Sequence, residues 1–78
     1  MNVFYISWKP DADVCGEAAG FSFAGRVLDL VVTFGGDGLF YWEVVDACTR
    51  IASGTETSAA AARRAAETAA RLEAIRAA

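Results

Sequence analysis

The side chains that usually carry catalysis are sparse in this chain. It contains no histidine, which removes the usual general base, the commonest metal ligand and the ordinary pH switch near neutrality. Without histidine, neither the serines nor Cys15 and Cys48 can form a nucleophile–base pair of the triad type. Two thiolates alone leave a zinc site half built. The cysteines read as reduced thiols of a cytosolic protein, with a single disulfide as the alternative. Asp29, Glu43 and Asp46 fall on strands, and nothing in their spacing places two of them in one cleft, so they read as solvated acids. Asp11, Asp13 and Glu17 are spaced like half a calcium loop, but the glycine and distal glutamate of that loop are not where it needs them. They read either as a solvated loop or as an acidic patch that docks on a basic partner. Gly35-Gly36-Asp37-Gly38 invites comparison with a phosphate-binding loop, yet a strand follows it instead of a helix, and no lysine follows. It reads as a hairpin turn. The expectation is therefore no enzyme, no cofactor and no metal. Asp11, Asp13, Glu17 and Asp37 are the candidate partner-binding residues.

The totals agree with a contact function. Seventy-eight residues make one domain, 1–78, and the composition, 55% apolar and 22% charged, is globular. Net charge is −3, and the basic residues are scattered, which argues against direct nucleic-acid binding. No apolar run approaches the roughly 20 residues that cross a bilayer. The N-terminus lacks the charged, apolar and cleavage regions of a signal peptide. These features predict a cytoplasmic protein.

Strand formers crowd residues 1–8, with Phe4, Ile6 and Trp8 on one face and Val3 and Tyr5 on the other. Residues 9–25, with Pro10, three acids and Gly16, predict a long acidic loop, in which Phe21-Ser22-Phe23 extends the next strand. Residues 26–46 predict a hairpin across the glycine turn: Leu28, Leu30, Val32 and Phe34 share a face, and so do Phe40, Trp42 and Val44. Arg50-Ile51-Ala52 continues the sheet beyond a kink near Ala47-Cys48. Thr55, Thr57 or Ser58 caps a helix over 57–76, where alanine dominates. At 100° per residue, Ala61, Ala65, Thr68, Leu72 and Ile75 form one stripe, predicted to be buried. Arg63, Arg64, Glu67 and Arg71 form an outer, self-paired face. The fold class is α+β: a three- to four-stranded antiparallel sheet with one long C-terminal helix packed on one face.

A single helix covers one face of such a sheet. The other face carries Val3, Tyr5, Val27, Val31, Tyr41 and Val45, more apolar than a solvent face should be. Three occupants satisfy that: loop 9–25 folded over it, a second copy of the chain, or a different protein. The prediction is a homodimer at micromolar concentration.

The run Tyr41-Trp42-Glu43-Val44-Val45-Asp46, then Ile51-Ala52-Ser53-Gly54, then Thr57 into Ala61-Ala62 and Ala65-Ala66-Glu67, resembles a pattern of small phage and prophage proteins. In these a tryptophan-containing hairpin strand leads through Ala-Ser-Gly to a capped alanine-rich helix. Over residues 26–76 the strand–strand–strand–helix order also resembles the double-stranded-RNA-binding and HicB-like folds. The lysine-rich helix start of the RNA-binding members is alanine here, and the glycine-rich strand ends of HicB antitoxins are not clear, so fold analogy does not carry function with it. In size, acidity and missing chemistry the chain is similar to anti-CRISPR proteins. That resemblance implies a phage-encoded inhibitor that occludes a surface of a CRISPR effector complex inside the bacterial host. The alternative is a nucleic-acid-binding domain, contacting duplexes through Arg63, Arg64 and Arg71, or an antitoxin-like domain that binds a toxin.

Overall fold

The computed structural model describes residues 6–77. It is an α+β fold: a five-stranded antiparallel meander followed by one helix. The strands are β1 (Lys9–Asp11), β2 (Gly16–Phe23), β3 (Arg26–Phe34), β4 (Phe40–Asp46) and β5 (Thr49–Glu56), and the helix is α1 (Ala59–Ala77). Each strand pairs with the next in chain order. Every connection is therefore local and short.

The alternation in 26–34 and 40–46 does what it predicts. Leu28, Leu30, Val32 and Val44 are fully buried, each contributing about 1.5–3 kcal/mol of burial. Ile6 and Phe21 are buried with them, and Trp8, Phe23 and Trp42 pack against this core. Phe34 departs from the pattern. At the last position of β3 it pairs edge-on with Phe40, ring centres 5.5 Å apart, and remains exposed.

Residues 9–25 are not a loop. They form β1, a single 3-10 turn at Ala12–Val14, and β2. Ala19, Phe21 and Phe23 alternate onto the core, and β2 pairs along its whole length with β3, from Gly16↔Thr33 to Phe23↔Arg26. Glu, Ala and Gly are poor strand formers; pairing with the strong neighbour β3 overrides their propensity. Residues 6–8 precede the first strand, so the expected strand over 1–8 is not present there, and its residues 1–5 lie outside the described part. Ile6 and Trp8 nevertheless reach the core.

Two hairpins turn on paired positive φ angles: Ala24 (48°) with Gly25 (76°), and Ala47 (49°) with Cys48 (71°). Both are two-residue loops, since Phe23 pairs with Arg26 and Asp46 with Thr49. Left-handed residues match the twist of the strands they join. Ala47-Cys48 adopts this turn without a glycine or asparagine, at about 1–2 kcal/mol per residue. Replacing it with Asn-Gly should stabilise the domain by about 1 kcal/mol and raise the melting temperature by about 4–8 °C. An unchanged or lower melting temperature by calorimetry would count against the strained-turn account.

The helix begins where Ser58 Oγ accepts a hydrogen bond from the Ala61 N–H at 3.1 Å, one of the three caps expected. Its buried stripe differs from the expected one. Ala62, Ala66 and Ala70 are fully buried, whereas Leu72 and Ile75 are 51% and 69% exposed, and Thr68 is exposed. Methyl groups let α1 lie close over β3, β4 and β5; leucine or isoleucine there would hold it off. The stripe is therefore selected by size rather than by hydrophobicity. The charged side is not simply solvated either. Glu67 accepts from the Trp8 indole N–H at 2.7 Å, and Arg63 reaches Glu17 of β2 at 2.7 Å. Arg71 pairs with Glu67 at 3.4 Å. Arg26 binds Asp46 and, at 3.4 Å, Glu73, which ties the β2–β3 hairpin to the end of α1. Hydrogen bonding to Asp46 leads in raising the Arg26 pKa above its ordinary value.

Candidate interaction surface

With α1 on one face, the opposite face of the sheet is uncovered among the described residues. Strand alternation brings successive cross-strand ranks to it. One rank is Lys9, Ala18, Val31, Glu43 and Ser53; the next is Asp11, Gly16, Thr33, Tyr41 and Thr55. On the other side follow Gly20, Asp29, Val45 and Arg50, with Val27 beyond. Val27 and Tyr41 are exposed, and Val31 and Val45 are half-buried by their neighbours. These four are the described members of the predicted apolar set. Val3 and Tyr5, its other members, lie outside the described residues. Loop 9–25 cannot be the cover for this face, because its residues are strands within the sheet itself.

The relief of this face follows from side-chain size. Ala18, Gly16 and Gly20 on β2 and Ser53 with Gly54 on β5 are low; Val31, Glu43, Val45 and Tyr41 between them stand high. Shallow grooves of about 360 and 410 Å³ therefore run along β4–β5 and β1–β2. The first is lined by Thr33, Tyr41, Glu43, Arg50, Ser53 and Thr55, among others. Glu43 and Arg50 approach to 3.7 Å across it. Gly54 is required from the other side. A Cβ there would sit 2.8 Å from the indole nitrogen of Trp42, whose ring packs with the core.

The candidate acids divide. Asp11 lies on β1 and Asp13 in the 3-10 turn, and that turn is stitched to the end of β3 by the Phe34 N–H donating to the Cys15 carbonyl at 3.0 Å. Asp37 lies in the β3–β4 turn at the same end of the sheet. Asp11, Asp13 and Asp37 thus share one end. Asp11 Oδ1 also accepts the Asp13 N–H at 2.9 Å, so part of its hydrogen-bonding capacity shapes the turn. Glu17 does not join them. It points to the helix side and is held by Arg63, so the structure gives it a partner within its own chain.

Asp37 is the most constrained of the acids. It accepts the Tyr41 hydroxyl at 2.6 Å and the Leu39 N–H at 3.0 Å. Tyr41 first, then Leu39, holds its carboxyl below the ordinary value, and Asp37 reciprocally raises the Tyr41 phenol. The pair fixes the tip of the β3–β4 hairpin and joins the acidic end to the apolar face through one side chain. The face offers exposed apolar side chains beside acidic ones. Asp29 and Glu43 lie on this face in adjacent ranks, while Asp46 turns to the other face and binds Arg26. Of the basic residues expected for duplex binding, Arg63 and Arg71 are engaged in ion pairs and Arg64 is exposed. Cys15 and Cys48 are both exposed free thiols.

Sequence reasoning missed Lys9, Ala18 and Gly20 as members of this face, because it assigned them to a loop. It also missed the length of β5. The signal for β2 was present in the alternation of Ala19, Phe21 and Phe23. No helix among the described residues is long and apolar enough to cross a membrane. Compared with known proteins, the chain matches no family model, no curated protein and no solved structure.

Proposed function

We propose that this protein is a non-enzymatic interaction module that binds another protein through the open sheet face and its acidic end. The observation that carries the reading is the uncovered face itself, with Val27 and Tyr41 exposed beside half-buried Val31 and Val45. Apolar surface rimmed by charge marks contact sites, and tyrosine is enriched in them. Asp11, Asp13 and Asp37 at one end suit a basic partner surface and would steer its approach. In its most concrete form the protein is a phage-encoded inhibitor of the anti-CRISPR type. It acts in the cytoplasm of a bacterial host by occluding a basic nucleic-acid channel of a CRISPR effector complex.

The test is co-purification with effector complexes and competition with their target DNA. Wild type should bind and block DNA. Asp11→Lys with Asp13→Lys, and separately Val31→Lys, should weaken binding by about tenfold or more while circular dichroism shows the fold retained. Failure of the wild type to bind effector complexes removes the anti-CRISPR identity. Binding unchanged in both variants removes this surface as the contact site.

A further inference from the structure

We infer that Asp37-Gly38 is a site of spontaneous isomerisation to isoaspartate and that the Tyr41 hydroxyl holds the reaction in check. Asp37 is the only aspartate of the chain followed by glycine; alanine, valine, leucine and alanine follow Asp11, Asp13, Asp29 and Asp46. Glycine matters because the attacking atom is its own backbone nitrogen, and a side chain on that residue would crowd the approach. No atom stands within 4 Å of where a Cβ on Gly38 would be. Asp37 is exposed in the turn between β3 and β4, whereas Asp29 and Asp46 are fixed in a strand ladder. The Asp46 carboxylate is further tied to Arg26.

The reaction needs no reagent but water. The Gly38 nitrogen attacks the Asp37 Cγ, a C–N bond forms, and the carboxyl hydroxyl leaves with the amide hydrogen as water, closing a succinimide. Water then opens the ring. Attack at Cγ restores aspartate. Attack at the Asp37 main-chain carbonyl breaks its bond to the Gly38 nitrogen, frees that carbonyl as a carboxylate and leaves the chain running through Cβ and Cγ. The first step requires the neutral carboxyl, because a carboxylate is a poor electrophile. Asp37 is held in the unreactive form. Its Oδ2 accepts from the Tyr41 hydroxyl at 2.6 Å and its Oδ1 from the Leu39 N–H at 3.0 Å. These bonds favour the ionised carboxylate, Tyr41 more than Leu39. Tyr41 is the titratable side chain that bonds to Asp37 among the described residues; no cation contributes, and Asp11 and Asp13, at the same end, make no bond to it. Isomerisation would insert a carbon into the loop closed by the Gly35 N–H donating to the Leu39 carbonyl at 3.0 Å. It would also leave the carboxylate directly on Cα, one methylene short of the arm that reaches Tyr41.

Prolonged incubation of the folded chain tests this, with isoaspartate read by enzymatic methylation and located by fragmenting the tryptic peptide 27–50. Isoaspartate should appear at Asp37 and at no other aspartate, more slowly in the folded wild type than in the same chain held in urea. Tyr41→Phe keeps the ring and removes the hydroxyl. It should isomerise about threefold faster or more near neutral pH. The rate falls as pH rises through the pKa of the carboxyl, and in Tyr41→Phe that fall should come at higher pH, because the carboxyl returns towards its ordinary value. A hairpin merely loosened would raise the rate at every pH without moving the fall. Asp37→Glu, which would have to close a six-membered ring, serves as the blank. The site is overturned if the chain in urea converts while Asp37 stays intact in both folded proteins. The restraint is overturned by a folded wild type as fast as the chain in urea, by equal rates in wild type and Tyr41→Phe, or by a faster variant with an unshifted pH profile. None of these results depends on whether the sheet face binds a partner.

Discussion

Leu30→Ala is expected to cost about 2–5 kcal/mol of unfolding free energy, against a total of about 4–12 kcal/mol for a domain of this length. Leu30 sits at the centre of β3, fully buried, with Leu28 and Val32 on either side in the same face and Val44 opposite. The alanines of α1 close over this face with little freedom to collapse into a vacated site. Removing the leucine therefore loses both its transfer free energy and the contacts around the cavity. Ile75→Ala is the contrast. It removes the same three carbons from the molecule's most alanine-rich element, yet Ile75 is 69% exposed, and the change should stay within about 0.5 kcal/mol. Urea unfolding followed by tryptophan fluorescence reads both. Equal losses would mean that α1 is rotated to bury Ile75, as its sequence periodicity predicts, and would overturn the alanine stripe.

That contrast also locates where the fold was legible. Residues 26–34 and 40–46 alternate strongly between large apolar and other side chains, and a glycine-rich turn joins them, so the hairpin, its faces and the buried Leu28, Leu30, Val32 and Val44 could be read, while Phe34 at the strand end could not. α1 was legible as a helix but not as an oriented one. When nearly every position is alanine, hydrophobicity cannot rank the faces, and the few large residues mislead because close packing excludes them. β5 was hidden by its turn: Ala47-Cys48 takes a glycine-type conformation without glycine, and the bulge at Ile51 breaks the alternation that would have marked the strand. β2 was hidden by composition, because Glu17, Ala18 and Gly20 become strand residues through pairing with β3.

The candidate surface was legible in part for the same reasons. Val27, Val31, Tyr41 and Val45 follow from alternation alone. That Asp11 and Asp37 would share one end of the sheet does not, because it depends on β1 and β2 being strands. Glu17 shows the limit most directly. In sequence it stands with Asp11 and Asp13; in the structure the two-residue alternation turns it to the helix side, where Arg63 is waiting 46 positions later. An acid chosen by proximity in sequence is neutralised by a neighbour that only the fold supplies.

Gly16→Ala is expected to be the most damaging single-atom change, costing more than about 3 kcal/mol. A Cβ on Gly16 would lie 1.9 Å from the carbonyl oxygen of Val32 and 3.1 Å from the Cα of Thr33. The obstacle is backbone of a central strand, so no side-chain rotation can relieve it. Gly16 begins β2 directly after the left-handed Cys15, and its close approach lets the 3-10 turn fold back onto β3. Adding a methyl must either break the Gly16↔Thr33 pair or displace the turn that carries Asp11 and Asp13. Gly36→Ala serves as its counterpart. No atom stands within 4 Å of a Cβ there, and its φ is not in the left-handed region. That change should be neutral or stabilise by up to about 1 kcal/mol, through the unfolded chain. Thermal unfolding of the two variants side by side decides the matter: comparable melting temperatures would mean that β2 does not approach β3 as closely as this register requires.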